Sequence, residues 1–415
     1  MWRALHHRDF ALYAAGGFVS NIGLWFQRVG VQWLVWSLTG SLSLVATVAL
    51  IEAACFLASV PFFGTVSDRY DRLLLGRIAQ VLLMVLAAIL AVLTILDIMT
   101  ILLLMVLMGL AGFFEALWSP IRLAMAPNLV PRADLPSAIG IGSILFNVAQ
   151  FVGPALGAVI IAAFTLDREG IGWLFALNAL SFLGYLIVLL IIRLKHDEVG
   201  SRPRSNFVAD LREGVLYILT KKELGLFFVL IVSTMIFMRS YRESLTAIAD
   251  GIYTMEELGF GIMQSASGAG GIIGSIMVAK VSRISGMVRL LFIAALLAGL
   301  LHLALSATSS FWVATIIVGG ISAFGSYIGI GGQLVVQNSI DGSVRGRVMS
   351  LWSMNLRGGP AAGAWLWGLG DKFWALQSVI AVSTVIYLLI LGALLPRLRG
   401  IAAVMERAPD EAPSR

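Results

Sequence analysis

Twelve near-continuous apolar runs, at about 10–37, 42–64, 73–96, 99–125, 136–164, 171–193, 224–249, 257–281, 287–306, 309–335, 345–368 and 373–395, dominate this chain of 415 residues. Each is long enough to cross about 30 Å of hydrocarbon at about 1.5 Å per residue. A bilayer offers no water to peptide groups, so a run of this length closes its own hydrogen bonds as an α-helix. The pattern predicts an all-α polytopic membrane protein with twelve transmembrane helices. Only 13% of the residues are charged, against roughly 25% in a soluble domain. The segments between runs are too short to hold a catalytic, nucleotide-binding or receptor domain. The first run is too long for a signal-peptide core and no clear small-residue cleavage site precedes the next one, so it reads as a retained span. The single cysteine, Cys55, lies inside a run, which excludes an intrachain disulfide and any CxxC metal motif.

An even number of spans returns both termini to one side of the membrane. Of the 29 lysines and arginines, 23 fall on that side, Arg168 and Lys372 fall on the other, and Arg28, Arg239, Arg242 and Arg357 lie within runs. This asymmetry places both termini in the cytoplasm and accounts for the formal charge of +6 without a nucleic-acid partner. The longest polar stretch divides the runs into two sets of six: a bundle over 1–195, a linker over 196–223, a second bundle over 224–397 and a tail over 398–415. Within the linker, Phe207, Leu211, Val215 and Ile218 recur at helical spacing, predicting an amphipathic helix at the lipid surface. The charged, proline-containing end, Glu406–Arg415, has no apolar face and is expected to lack fixed structure.

The most specific local pattern follows the second run, where Gly64, Asp68, Arg69 and Arg72 are spaced as G-x-x-x-D-R-x-x-R. Glycine lets helix ends approach, an aspartate caps a helix N-terminus, and arginines hold carboxylates or helix C-termini. This loop resembles the signature of the major facilitator superfamily, although Leu73 stands where a further basic residue is usual. The stretch Lys280, Arg283 and Arg289, after the eighth run, is a degenerate echo. In the fifth run, Gly140, Gly153, Pro154 and Gly157 resemble the antiporter motif of that superfamily's exporters, with Ala149 in place of one glycine. The segments His7–Leu12, Trp25–Val29, Gly346–Trp352 and Arg357–Pro360 are similar to the branch containing the enterobactin exporter and related multidrug exporters. The resemblance covers residues 5–397. It implies two six-helix bundles around a cavity, alternating access, and proton-coupled export of a small amphiphilic compound, a siderophore or a drug, across the bacterial inner membrane. The same fold also serves lysophospholipid flippases and nutrient importers.

Charges within hydrocarbon cost at least about 2.5–3.5 kcal/mol and mark functional positions. Glu52 and Glu115 are the candidates for proton coupling. Glu115 is the stronger, because the resemblance implies that spans one, four, seven and ten line the cavity; the competing reading pairs each glutamate permanently with Arg28 or Arg122. Arg28, Gln27, Gln32, Asn147, Gln150, Arg239, Gln264, Gln333, Asn355 and Arg357 are candidates for a polar substrate cavity. Trp25, Trp33, Trp36, Trp118, Trp173, Trp312, Trp352, Trp365, Trp367 and Trp374 read mainly as interfacial anchors. Enzymatic chemistry has no support. There is no P-loop, His302 is alone in its run, and Gly268, Gly270, Gly271 and Gly274 lie inside a span, where they read as packing residues. No cofactor or metal is expected; the expected partners are a small-molecule substrate, protons and membrane lipid, with the protein acting as a monomer.

Overall fold

Helix ends fall where local chemistry puts them. In the computed structural model, which describes residues 3–67, 70–164, 167–193, 207–281 and 284–407, α1 (Arg8–Thr39) has Asp9 in its first turn, where a carboxylate favours the helix dipole. It stops at Gly40, whose φ of 57° lets the Gly40 N–H donate to the Trp36 carbonyl at 2.7 Å. α2 (Leu42–Ser67) precedes α3 (Arg72–Ile95), which opens on Asp71, its carboxylate accepting the Leu74 N–H at 2.7 Å. The chain continues through α4 (Ile101–Leu129), α5 (Leu135–Ala162), α6 (Asp167–Ile191), α7 (Phe207–Thr220) and α8 (Lys222–Ser233). After an irregular passage come α9 (Glu256–Ala279), α10 (Met287–Ala307), α11 (Phe311–Ser339), α12 (Gly342–Gly370), α13 (Leu376–Leu394) and α14 (Leu398–Met405).

Among the described residues, ten helical segments are long and apolar enough to cross a membrane. α1 and α12 are not among the ten. Both have the length, but α1 carries Asn21, Gln27, Arg28 and Gln32, and α12 carries Arg345, Arg347, Asn355 and Arg357.

The seventh run, expected as one continuous helix over 224–249, is not one. α8 ends at Ser233, and the chain proceeds as a π-helix (Thr234–Met238), a 3-10 turn (Ser240–Glu243) and a second π-helix (Ala247–Ile252). These irregular turns sit where α12 presses closest. A Cβ added at Gly359 would stand 2.7 Å from the Met235 Cβ, and one at Gly363 would collide with the Ile236 carbonyl and the Ser240 hydroxyl. The Thr234 hydroxyl donates to the Leu230 carbonyl at 2.7 Å and Ser240 donates to Ile236, occupying acceptors where the α-helical ladder is interrupted.

The chain forms two units: Met1–Pro203 with Met255–Ser265, and Arg204–Thr254 with Ala266–Arg415. In the first, α3 lies along α6 and α4, α1 along α5 and α6, and α2 along α4. Phe10, Phe63, Trp118, Ile121, Tyr185 and Leu189 fill its interior. In the second, α10 packs on α11 and α13, α7 on α12, and α14 on α8 and α10. Phe227, Ile231, Leu291, Ile328, Trp352 and Tyr387 form that core. Helix association in lipid depends on close packing, because the surrounding tails are as apolar as the side chains. Gly270 and Gly274 illustrate it, since a Cβ on either would strike the α11 carbonyls of Gly319 or Ala323. Leu102, Ile316 and Leu389 stay exposed, as lipid-facing residues do.

Three further sequence expectations need correction. The tail expected over 398–415 opens as helix α14, and Glu406, expected to lack fixed structure, accepts the Gly286 and Val288 N–H groups, because the start of α10 offers amides with no partner in their own helix. Trp25, Trp33, Trp118, Trp352 and Trp367 are buried, not interfacial: Gly153, Gly76 and Gly332 lie against Trp25, Trp118 and Trp352, while Trp33 stacks on Phe260 and Trp367 meets His302; Trp173, Trp312 and Trp374 are exposed. The linker helix α7 turns Gly214 and Ile218 inward and leaves Val215 exposed. The reason is its seat on α12: a Cβ at Gly214 would stand 3.1 Å from the Arg347 carbonyl oxygen, and Glu213 pairs with Arg347 at 2.6 Å. The side chain of Phe207 lies outside the described residues.

Candidate functional site

The candidate residues of the first unit gather on two helix seams. Along α1 and α5, glycines of the antiporter-like motif bring the backbones together. A Cβ at Gly153 would stand 2.6 Å from the Trp25 Cβ, and one at Gly157 3.4 Å from Val29. Gly140 has open space beside it and takes no part in the seam. Pro154 lies between the two packing glycines within α5. On α1 the Arg28 guanidinium lies 5.0 Å from the centre of the Trp25 ring, a cation–π contact that holds a half-buried positive charge. Its neighbour Gln27 faces the other way. The Gln27 Oε1 accepts a hydrogen bond from Asn178 Nδ2 of α6 at 2.7 Å, and Ser181 donates to the Asn178 Oδ1 at 3.2 Å. This buried amide pair was not anticipated, although an asparagine within an apolar run is itself a visible signal. Gln32 is half-buried on α1.

The second seam joins α2 to α4. Gly112 lies directly against the Glu52 carbonyl, leaving no room for a side chain there, and Glu115 follows three residues later on α4. Both glutamates are half-buried. Asn147 donates to the Ser143 carbonyl of its own helix at 2.8 Å, and Gln150 is half-buried one turn on. Gln264, in the part of α9 that belongs to this unit, is buried, and its Oε1 has no hydrogen-bond partner among the described residues. Of the loop motif, Gly64 ends in open space, Arg72 begins α3 beside the capping Asp71, and Asp68 and Arg69 lie outside the described residues. Arg77, downstream, donates to the Leu189 carbonyl near the end of α6 at 3.0 Å.

In the second unit the irregular passage carries the site chemistry. Arg239 closes the first π-helix and packs against Gly325 of α11, where an added Cβ would stand 3.2 Å from a guanidinium nitrogen. Beside it, Tyr241 and the Ser267 hydroxyl share a hydrogen bond of 3.0 Å, and Ser267 donates to Ser322 at 3.3 Å, which links the passage to α9 and α11. His302 of α10 meets the rings of Tyr241 and Trp367 at 5.8 and 6.5 Å, with Nδ1 at 3.0 Å from the Ala298 carbonyl. None of Tyr241, Ser267, Ser322 or His302 stood among the candidates, because single hydroxyls and a lone imidazole carry no pattern in sequence. Gln333, Asn355 and Arg357 are half-buried on α11 and α12, and the Asn355 Nδ2 lacks a partner among the described residues. Each unit thus holds a buried or half-buried arginine and an amide group without a partner among the described residues, Arg28 and Gln264 in the first, Arg239 and Asn355 in the second. Such groups are costly to bury and suit a polar solute.

This fold is that of the major facilitator transporters. A bacterial homologue of the iron transporter ferroportin, in its inward-facing state, superposes with a TM-score of 0.71 at 16% identity, covering 93% of this chain and 98% of the other. A D-xylose–proton symporter gives 0.70 at 14% identity, over 95% and 98%. The chain belongs to the transmembrane secretion effector family of this superfamily, which it matches over residues 1–411. It is therefore a multi-pass membrane transporter and not an enzyme. Among curated relatives, the staphyloferrin A transporter of Staphylococcus aureus is 24% identical over 90% of this chain and 93% of its own length. The enterobactin exporter EntS of Shigella boydii is 23% identical over 94% and 91%.

Proposed function

We propose that this protein is a proton-driven exporter of a small amphiphilic organic compound of the siderophore class, moving it outward across the bacterial inner membrane by alternating access. The observation that carries the reading is the end-to-end similarity to two siderophore transporters, each matched over at least 90% of both chains. The chemistry agrees. Iron(III) chelators present hard, anionic oxygen donors, and Arg28, Arg239 and Arg357 put fixed positive charge inside the spans to receive them. Glu52 and Glu115 are the proton carriers in this reading, each half-buried on a helix long and apolar enough to cross the membrane. The twelve runs form twelve spans with both termini cytoplasmic, α1 and α12 included despite their polar content, and the loop from Gly64 to Arg72 acts as the cytoplasmic gate.

The deciding experiment is uptake into inside-out vesicles of a catecholate siderophore and several lipophilic cationic dyes, with and without an imposed inside-acidic gradient. Gradient-dependent accumulation of the siderophore is the expected result. Accumulation of the dyes alone makes the protein a multidrug exporter. Movement of neither, together with translocation of labelled lysophospholipid, replaces export with lipid flipping.

A further inference from the structure

The last helix among the described residues, α14, ends in a clip that the transport reading leaves unused. α14 buries Ile401 and Met405 and packs against α8, α10 and α11. Ser339, at the end of α11, donates to the Met405 sulfur at 3.8 Å. One residue past α14, the Glu406 carboxylate accepts the Gly286 N–H at 2.7 Å through Oε2 and the Val288 N–H at 2.9 Å through Oε1. Both oxygens are therefore spent on the first amides of α10, the positive end of its dipole. Gly286, with a φ of 85°, adopts the left-handed conformation this cap requires, and its own position supplies no side-chain cap. The corresponding helix of the first half, α3, is capped by Asp71 from its own loop. The loop before α10, residues 280–286, contains no acidic residue.

We infer that Glu406 returns from the C-terminus the carboxylate missing from the second half's loop, and that it is a positioning residue for transport, holding the ends of α8, α10 and α11 together as one piece through the cycle. The inference rests on the transporter reading for its function, but the cap itself can be tested without any substrate.

Hydrogen exchange of the intact protein comes first. Glu406→Ala is expected to speed exchange in the first turn of α10 about fivefold, the loss of a cap, with Glu406→Gln in between. Siderophore transport at equal membrane levels should then show a reduced maximal rate with an unchanged half-saturation concentration. In a Cys55→Ala background, Ser339→Cys and Met405→Cys joined by a short cross-linker should restore the rate of Glu406→Ala and leave the otherwise unaltered protein active. Unchanged exchange in Glu406→Ala overturns the cap. An unchanged rate, a rate that the cross-link does not restore, or a cross-link that stops the unaltered protein each overturns the positioning role. If the unaltered protein moves no siderophore, the proposed function fails, while the exchange result still decides the cap.

Discussion

Glu52 and Glu115 sit half-buried on helices in direct contact, near Gly112, and the proposed function makes them the proton carriers. Glu115→Gln is expected to abolish the dependence of transport on an imposed pH gradient, and Glu52→Gln to weaken it, both measured in inside-out vesicles; full, gradient-dependent transport in both would dismiss them as proton carriers. The amide pair of Gln27 and Asn178 makes a different prediction. Asn178→Ala leaves the Gln27 oxygen buried without its donor, a loss of about 0.6–1.7 kcal/mol on the scale of membrane hydrogen bonds, visible as a lower melting temperature in detergent. Tyr253, outside the spans, donates to the Thr308 carbonyl at 3.0 Å, and burial pushes its phenol pKa up. The folded phenol thus holds its proton more tightly than the unfolded one. Its contribution is complete below the ordinary value of about 10 and fades as pH rises through the raised value. Tyr253→Phe should cost about 1 kcal/mol between pH 6 and 9, with the difference from wild type shrinking in more alkaline buffer.

At the scale of elements, eleven of the twelve runs became single helices within a few residues of the expected bounds, since a long apolar run in lipid has one stable backbone solution. The seventh did not. Thr234–Ile252 carries Arg239, Arg242, Glu243 and Asp250 within its apolar run, and its irregular turns lie where Gly359 and Gly363 let α12 approach Met235, Ile236 and Ser240. Gly363→Ala places a methyl group against the Ile236 carbonyl and Ser240. It should destabilise the protein by about 1–3 kcal/mol, the range for overpacking, and a thermal unfolding series including Gly400→Ala as an open-space control would measure it. α7 carries the same lesson. Its apolar spacing was legible, but which residues face inward was decided by Gly214 meeting the Arg347 carbonyl, a contact between residues far apart in sequence.

For the whole molecule, the distribution of lysine and arginine predicts that both termini are cytoplasmic. Phosphatase and fluorescent-protein fusions at the two ends would check it: both ends fluorescent and phosphatase-silent is the expected pattern, and any phosphatase-active terminus would reverse it. Entry into the membrane as helices is a property of hydrophobic length, which adds up along a chain and so is readable from it; of the twelve runs expected as spans, ten helical segments among the described residues are long and apolar enough to cross. The spacing of the antiporter-like glycines was readable too; Gly153 and Gly157 pack against Trp25 and Val29 of α1, whereas Gly140 has open space beside it. Pairings were not. That Gln27 meets Asn178, that five tryptophans are core residues, that span seven unwinds against α12 and that Glu406 caps a helix begun 120 residues earlier all depend on which backbone surfaces come close enough to touch. Sequence by itself determined that this chain enters a membrane as helices and which family it joins; only tertiary packing, where glycine contacts and buried polar partners are selected in three dimensions, decided how those helices bend, which side chains they hide and what clips them together.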